Sequence, residues 1–232
     1  MTRPETDAAA FSALLQQHGM IPVHAPMITI NFQPQAIPDL SDTSHLVFTS
    51  SNGVRAFCRI IQERIWPVFA VGSTTADAAK AAGFDLAGIA QGSVESLSDV
   101  IIEETDPNAR LTHIAGTHIA GDLSSALERG GRHYERAILY EAVASESLAE
   151  DIQGMLRGQK LFAATFFSAR TAKIFLSLLQ KYDLIDTLQH IRLVVISEAV
   201  AKVFPDNAAP QILIASSPDQ HAMIDILNPA RT

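Results

Sequence analysis

Two loops rich in small hydroxyl residues are the part of this sequence best suited to chemistry. The first, Phe48–Val54, contains Thr49, Ser50, Ser51 and Asn52, and the second, Phe166–Ala172, is a looser copy containing Ser168 and Arg170. Each loop follows an apolar run typical of a buried strand and precedes a stretch with helical spacing. The first N–H groups of a helix have no partner within the helix, so each loop could hold an anion. Alternatively, the hydroxyls only cap their helices.

A second pair of turns supports a duplication of the whole pattern. The turn Val71–Ala76 has a counterpart in Ile196–Ala201, and the helix-like segment Ala10–Gly19 echoes Asp122–Gly131. A repeat of more than about 100 residues is too long for a solenoid unit and has the size of a domain. The sequence therefore predicts two similar domains. The turns add further candidate donors, which are Gly72, Ser73, Thr74, Thr75 and Ser197.

The elements that must position these loops are apolar strands alternating with helices. The pattern predicts strands at Leu46–Thr49 and Leu161–Phe166, and a short strand at Ile21–Val23. Strands that are apolar throughout are typical of parallel sheets covered by helices on both faces, so the predicted fold class is α/β. In such sheets ligands bind beyond the carboxyl ends of the strands, where the hydroxyl loops are expected.

Composition excludes several classes of partner. The chain has 232 residues, 47% of them apolar, and a net charge of −8, so no global positive field would attract nucleic acid or an anionic membrane. Cys58 is the only cysteine, which excludes a disulfide within the chain. No apolar run approaches the roughly 20 residues of a membrane span, and the start does not resemble a secretion signal. We expect a cytoplasmic protein.

Motifs for metal or nucleotide chemistry are incomplete. The eight histidines are dispersed without the spacing of a helical metal site, so we expect no metal. Gly116–Gly121 resembles the frame of a phosphate-binding loop, but Asp122 stands where that loop has its lysine, and an aspartate there would repel phosphate. No Gly-x-Ser-x-Gly elbow is present, which argues against a serine nucleophile.

The loops, their order and their duplication resemble the uroporphyrinogen-III synthase family. The resemblance covers nearly the whole chain, and although each motif is short, their joint order and spacing are specific. The segments that carry it are Thr2-Arg3-Pro4, Phe48–Val54, Val71–Ala76, Arg136–Glu141, Phe166–Ser168 and the turn around Ile196.

The resemblance implies an architecture of two flavodoxin-like parallel-sheet domains joined by two extended segments, near Met27–Phe32 and Tyr140–Ala144. The first domain is discontinuous and comprises residues 1–29 and 144–232, and the second comprises residues 33–140. In this family the hydroxyl loops face a cleft between the domains. We expect a monomer.

The resemblance also implies a reaction, in which hydroxymethylbilane loses water and closes to uroporphyrinogen III with inversion of its last pyrrole ring. No cofactor is expected. The implied catalytic group is the Tyr140 phenol, which would hydrogen-bond to the departing hydroxyl; alternatively, Tyr140 is a strand-end aromatic with a hydrated hydroxyl. The substrate's carboxylates would be bound by Arg3, Thr49, Ser50, Ser51, Asn52, Gly72, Ser73, Thr74, Thr75, Ser168, Arg170, Arg192 and Ser197.

One departure from the family pattern keeps other functions open. The family's Gly-x-Thr-Thr-Ala turn reads Ser197-Glu198-Ala199-Val200-Ala201 in the second half, which removes two hydroxyls and adds a carboxylate. This change favours an alternative, a non-catalytic tetrapyrrole-binding or degenerate synthase-like protein. A third hypothesis, a two-domain sugar- or nucleotide-binding module, fits the periodicity but leaves the Tyr140 segment unexplained.

Overall fold

The computed structural model describes residues 1–33, 39–118 and 121–227, without the side chains of residues 209 and 210. The chain divides into two compact units: unit 1 comprises Met1–Thr29 and Val143–Thr232, and unit 2 comprises Ile30–Ala142. The chain passes between them within β1 (Ile28–Phe32) and β6 (His133–Ala144). The sequence of residues 33–42 predicts a loop with Pro34 and Pro38, and residues 34–38 lie outside the described residues.

The larger sheet has six strands in the order β1-β6-β5-β2-β3-β4. The pairs β2–β3, β2–β5, β3–β4 and β5–β6 are all parallel, which confirms the predicted α/β class with parallel sheets. Besides β1 and β6, the strands of this sheet are β2 (His45–Phe48), β3 (Val68–Ala70), β4 (Leu86–Ile89) and β5 (Arg110–Gly116).

Helices cover both faces of this sheet because its strands are apolar on both sides. Phe48 belongs to a core cluster with Phe57 on one face, and its neighbour Val47 belongs to a second cluster with Leu97 on the other. Successive residues of a strand point to opposite faces, so the buried residues Leu46, Val47 and Phe48 of β2 are all apolar. The helices are α2 (Ser51–Ile60), α3 (Ser73–Ala81), α4 (Val94–Glu104) and α5 (Leu123–Arg129).

Unit 1 contains a three-stranded parallel sheet in the order β7-β8-β9. Its central strand again has two apolar faces, since Val195 packs in one core cluster and Val194 in another. The strands are β7 (Ala163–Phe166), β8 (Arg192–Val195) and β9 (Ile212–Ile214). The helices are α1 (Glu5–Gln17), α6 (Glu150–Arg157), α7 (Ala169–Lys181), α8 (Glu198–Ala201) and α9 (Gln220–Leu227), with 3-10 turns at Ile185–His190 and Asp206–Gln211.

The predicted strand at Ile21–Val23 is wrong, because this segment has no regular secondary structure. The terminal amino group of Met1 donates to the Val23 carbonyl at 2.6 Å, and the Ala25 N–H donates to the Met1 carbonyl at 2.9 Å. Only the first of these bonds involves the predicted segment, and Pro22 has no N–H to donate to a ladder. An apolar cavity of ≈ 580 Å³ is lined by this segment and by the start of β7.

A close helix–strand contact explains why a glycine stands in the first hydroxyl loop. A Cβ atom at Gly53 would lie 2.7 Å from the carbonyl oxygen of Ile114, which is backbone in β5 and cannot rotate away. The absence of a side chain at this position therefore lets α2 lie directly against the sheet.

We expect the substitution Gly53→Ala to destabilise unit 2 because the new methyl group would collide with the β5 backbone. Overpacking of this kind costs about 1–3 kcal/mol of unfolding free energy. Urea denaturation would measure the loss. The control is Gly154→Ala in α6, where nothing lies within 4 Å of the added carbon; a helical alanine should leave stability unchanged or raise it by up to about 1 kcal/mol. Equal midpoints for Gly53→Ala and wild type would contradict the proposed contact.

Candidate functional site

The predicted loops of unit 2 meet at the carboxyl edge of the larger sheet. Thr49 and Ser50 follow β2, Gly72 follows β3 and Gly116 ends β5, and these three strands are parallel neighbours. The hydroxyl of Ser51 donates to the carbonyl oxygen of Thr74 at 3.3 Å, which joins the first turns of α2 and α3. The two helix N-termini therefore lie side by side.

The first turn of α2 is capped, so the helix-capping interpretation is correct for Ser50. Its hydroxyl oxygen accepts from the backbone N–H of Asn52 at 3.1 Å. The side-chain oxygen of Asn52 in turn accepts from the guanidinium of Arg55 at 2.7 Å. A hydroxyl that accepts in the cap still has its own hydrogen to donate, so capping does not remove Ser50 from the site.

The first turn of α3 offers open backbone donors. Gly72 is its N-cap in an extended conformation, and no side chain of the described residues caps this helix. Ser73 and Thr74 are exposed, whereas Thr75 is buried with 5% of its surface accessible. Among the described helices α2 to α5, α3 is the one without a side-chain cap, so its first N–H groups and the positive end of its dipole favour an anion here.

Tyr140 is buried against the same loops, with 8% of its surface exposed. Burial raises the pKa of its phenol, and hydrogen bonds with the Ser50 side chain and the Gly116 backbone offset part of that rise. A Cβ atom at Gly116 would lie 2.7 Å from Cε2 of the Tyr140 ring. The glycine therefore gives the phenol its place beside the α2 loop, where it is protonated at neutral pH.

Sequence reasoning missed Arg136, which fixes the end of β5. Its Nη2 donates to the carbonyl oxygens of Gly116 and Thr117 at 2.5 and 2.8 Å. Its Nε is buried and has no hydrogen-bond partner among the described residues. Arg136 belongs to the segment Arg136–Glu141, which carries part of the family resemblance. The sequence alone does not show that its side chain reaches the Gly116 turn.

His113, in the middle of β5, was also missed. It is 2% exposed, and burial together with the charge of Arg136 lowers its pKa to about 4. Its Nε2 lies 2.9 Å from the hydroxyl of Thr49, and its Nδ1 lies 2.7 Å from the hydroxyl of Tyr134. A histidine at a central position of a strand that the sequence predicts to be buried was the available signal.

Asp122 has a structural role that explains the incomplete phosphate loop. Its carboxylate is the N-cap of α5 and accepts from the backbone N–H of Ser125 at 3.0 Å. Hydrogen bonds with the side chain and the backbone of Ser125 lower the carboxyl pKa. The helix terminus is thus already occupied by a negative charge. Ala120, which lies two residues before Asp122 in the sequence, is outside the described residues.

The predicted site residues of unit 1 form a weaker counterpart. Ser168 caps α7 by accepting from the Thr171 N–H at 3.2 Å. The guanidinium of Arg3 lies 4.3 Å from the ring centre of Phe167, the residue before Ser168. Ser197 begins α8, which has only four residues and carries Glu198 in its first turn. A short helix with a carboxylate at its start has little affinity for an anion.

The predicted cations Arg192 and Arg170 of unit 1 lie at different places relative to these loops. Arg192 stands at the amino end of β8, whereas Ser197 follows the carboxyl end of that strand. Its guanidinium lies 4.7 Å from the ring centre of Phe162, which precedes β7. Arg170 is exposed in the first turn of α7. Arg170 thus belongs to the second hydroxyl loop and Arg3 packs beside it, whereas Arg192 lies at the other end of its strand.

A search for metal-binding groups and membrane spans adds no further site. Within residues 1–33, 39–118 and 121–227, no three His, Cys, Asp or Glu side chains lie close enough to share a metal ion. In the same ranges, every helix is too short or too polar to cross a lipid bilayer.

Comparison with known proteins identifies the family. The family model described as uroporphyrinogen-III synthase HemD matches residues 9–225. A curated uroporphyrinogen-III synthase from Chlorobaculum parvum is 28% identical over 207 residues, which covers 82% of each chain.

Two solved structures share the fold. A mutant uroporphyrinogen III synthase from the extremely thermophilic bacterium Thermus thermophilus aligns with a TM-score of 0.60 and 16% identity, over 100% of this chain and 99% of that one. The uroporphyrinogen-III synthetase from Helicobacter pylori 26695 aligns with a TM-score of 0.61 and 18% identity, over 87% and 89%. With most of its length matched by the family model, this chain belongs to the uroporphyrinogen-III synthase family.

Proposed function

We propose that this chain is a cofactor-independent lyase that converts hydroxymethylbilane into uroporphyrinogen III. The observation that supports this most directly is the position of Tyr140. Its buried, protonated phenol lies beside Ser50 and Gly116, at the sheet edge where α3 presents uncapped N–H groups. Dehydration of a polycarboxylate requires a weak acid next to hydrogen-bond donors that can bind an anion.

Substrate carboxylates would bind to the first turn of α3. The N–H groups of Ser73 and Thr74 and the exposed hydroxyls of both residues are donors. The dipole of a helix adds the equivalent of roughly half a positive charge at this end. An acidic protein of net charge −8 can thereby hold an anionic ligand locally.

The phenol of Tyr140 would assist the first chemical step. As the carbon–oxygen bond of the hydroxymethyl group breaks, negative charge develops on the departing oxygen, and the phenol donates a hydrogen bond to it. The raised pKa keeps the phenol protonated and able to donate throughout the neutral pH range. Loss of hydroxide together with the pyrrole N–H proton, which amounts to one water molecule, leaves an electron-poor azafulvene on the first ring.

The second task is positional. The last pyrrole ring must attack through its substituted carbon, which forms a spiro intermediate, before simple head-to-tail closure occurs. Holding the substrate's carboxylates at fixed points selects this attack by orientation. The non-catalytic alternative rests on Glu198 in unit 1, and it would leave the buried Tyr140 phenol without a role.

We expect Tyr140→Phe to lower kcat for the type III product by about tenfold to a hundredfold, because one preorganised hydrogen bond to a developing charge is lost. The assay would use freshly generated hydroxymethylbilane and separate type III product from the type I product that forms spontaneously. Tyr182→Phe, at the end of α7 in unit 1, is the matched control and should retain wild-type rates. An unchanged kcat in Tyr140→Phe would show that Tyr140 has only a structural role.

Gly116→Ala tests the placement of the phenol without removing it. The added methyl group would meet the ring at 2.7 Å and force Tyr140 away from its position. We expect kcat to fall with Tyr140 still present, while Gly154→Ala leaves kcat unchanged. An active Gly116→Ala enzyme with displaced Tyr140 density in a crystal structure would show that the phenol's position is immaterial.

Independence from metal is tested by dialysis against a strong chelator. We expect the rate of type III formation to remain constant, because the proposed mechanism uses only a phenol and hydrogen-bond donors. A loss of turnover that zinc or magnesium restores would contradict this part of the proposal.

A further inference from the structure

A line of three hydrogen-bonding side chains crosses the larger sheet and ends at the first hydroxyl loop. The hydroxyl of Tyr134 lies 2.7 Å from Nδ1 of His113, and Nε2 of His113 lies 2.9 Å from the hydroxyl of Thr49. Thr49 is partly exposed and immediately precedes Ser50, the hydrogen-bond partner of Tyr140. The line therefore connects a buried histidine with the candidate site.

His113 is neutral at physiological pH, because burial and the nearby charge of Arg136 lower its pKa to about 4. A neutral imidazole has one N–H donor and one bare acceptor nitrogen. Two arrangements are compatible with the distances. In one, Tyr134 donates to Nδ1 and Nε2–H donates to Thr49. In the other, Thr49 donates to Nε2 and Nδ1–H donates to Tyr134.

Elementary chemistry favours the first arrangement. A phenol, with a pKa near 10, is a stronger donor than an aliphatic hydroxyl, and its ring-conjugated oxygen is a poorer acceptor than an imidazole nitrogen. The stronger donor thus pairs with the stronger acceptor when Tyr134 donates to Nδ1. The Thr49 oxygen then accepts from Nε2–H, and its own hydrogen is left to donate outward.

We propose that Tyr134 and His113 orient the Thr49 hydroxyl as a hydrogen-bond donor to a carboxylate of the substrate. This inference rests on the proposed function for the identity of the ligand. His113 and Tyr134 are positioning residues, since they act through Thr49. In the second arrangement Thr49 donates to Nε2 of His113 and presents only oxygen lone pairs to the anion. The tautomer of His113 therefore determines whether the Thr49 hydroxyl attracts or repels a carboxylate.

The decisive experiment is nitrogen NMR of ¹⁵N-histidine-labelled protein without ligand. We expect the His113 imidazole to carry its proton on Nε2, with Nδ1 unprotonated, and His113→Gln identifies the signal by removing it. Tyr134→Phe should abolish this preference and give a mixture of tautomers. Protonation of Nδ1 in the wild type would overturn the proposal. This readout needs no turnover, so its outcome is independent of whether the proposed reaction is correct.

A kinetic double-mutant cycle tests the consequence for binding. Thr49→Val should raise KM for hydroxymethylbilane about tenfold with little change in kcat, as expected for a lost hydrogen bond to a charged group. Thr49→Ser should retain the wild-type KM. Tyr134→Phe should raise KM several-fold in the wild-type background and not at all in Thr49→Val.

The cycle also separates orientation from mere packing. If Tyr134 only stabilised the fold, Tyr134→Phe would lower the melting temperature and leave KM unchanged, and that result would refute the proposal. The control Tyr182→Phe should alter neither KM nor the tautomer of His113. Additive KM effects of Tyr134→Phe and Thr49→Val would equally refute a line that acts through Thr49.

Discussion

Parallel pairing of β2, β3 and β5 is the constraint on which the candidate site depends. It places the carboxyl ends of the three strands at one edge, so that the loops after them must meet there. Close approach of α2 to β5 is part of the same constraint, because Gly53 leaves no Cβ to contact the Ile114 carbonyl. The Ser51–Thr74 hydrogen bond and the proximity of Tyr140 to Ser50 follow from this packing. The direction of the strands thus brings these hydrogen-bonding groups together at one edge of the sheet.

The site in unit 2 relies on oriented hydrogen-bond donors more than on net charge. Burial raises the pKa of the Tyr140 phenol, which is protonated, and lowers the pKa of His113, which is neutral. Nη2 of Arg136 donates to the Gly116 and Thr117 carbonyl oxygens. The positive end of α3 supplies the attraction for an anion. Neutral groups avoid the large cost of burying unpaired charges and still stabilise charge that develops during a reaction. Under the proposed function, these groups would hold an anionic substrate despite the net charge of −8.

The corresponding turns of the two units differ in the features that favour anion binding. In unit 2 the turn after β3 starts a nine-residue helix with exposed hydroxyls, whereas in unit 1 the corresponding turn starts the four-residue α8 with Glu198. Helix length and a terminal carboxylate both reduce the positive potential at Ser197. Ser168 and Arg3 are the parts of unit 1 that still resemble a binding loop. The proposed chemistry is therefore concentrated in unit 2.

The sequence by itself determined the α/β class with parallel sheets and the family, because both depend on local periodicity and short motifs. It could not decide what depends on pairing between distant segments. Ile21–Val23 is apolar but lacks a partner long enough for a ladder. Arg192 has the right charge at the wrong end of its strand. The Thr49–His113–Tyr134 line joins residues from three strands and their ends, and only the register of those strands brings them within hydrogen-bonding distance. Tertiary structure decided these points because hydrogen bonds depend on distance and direction in space, which separation along the chain does not specify.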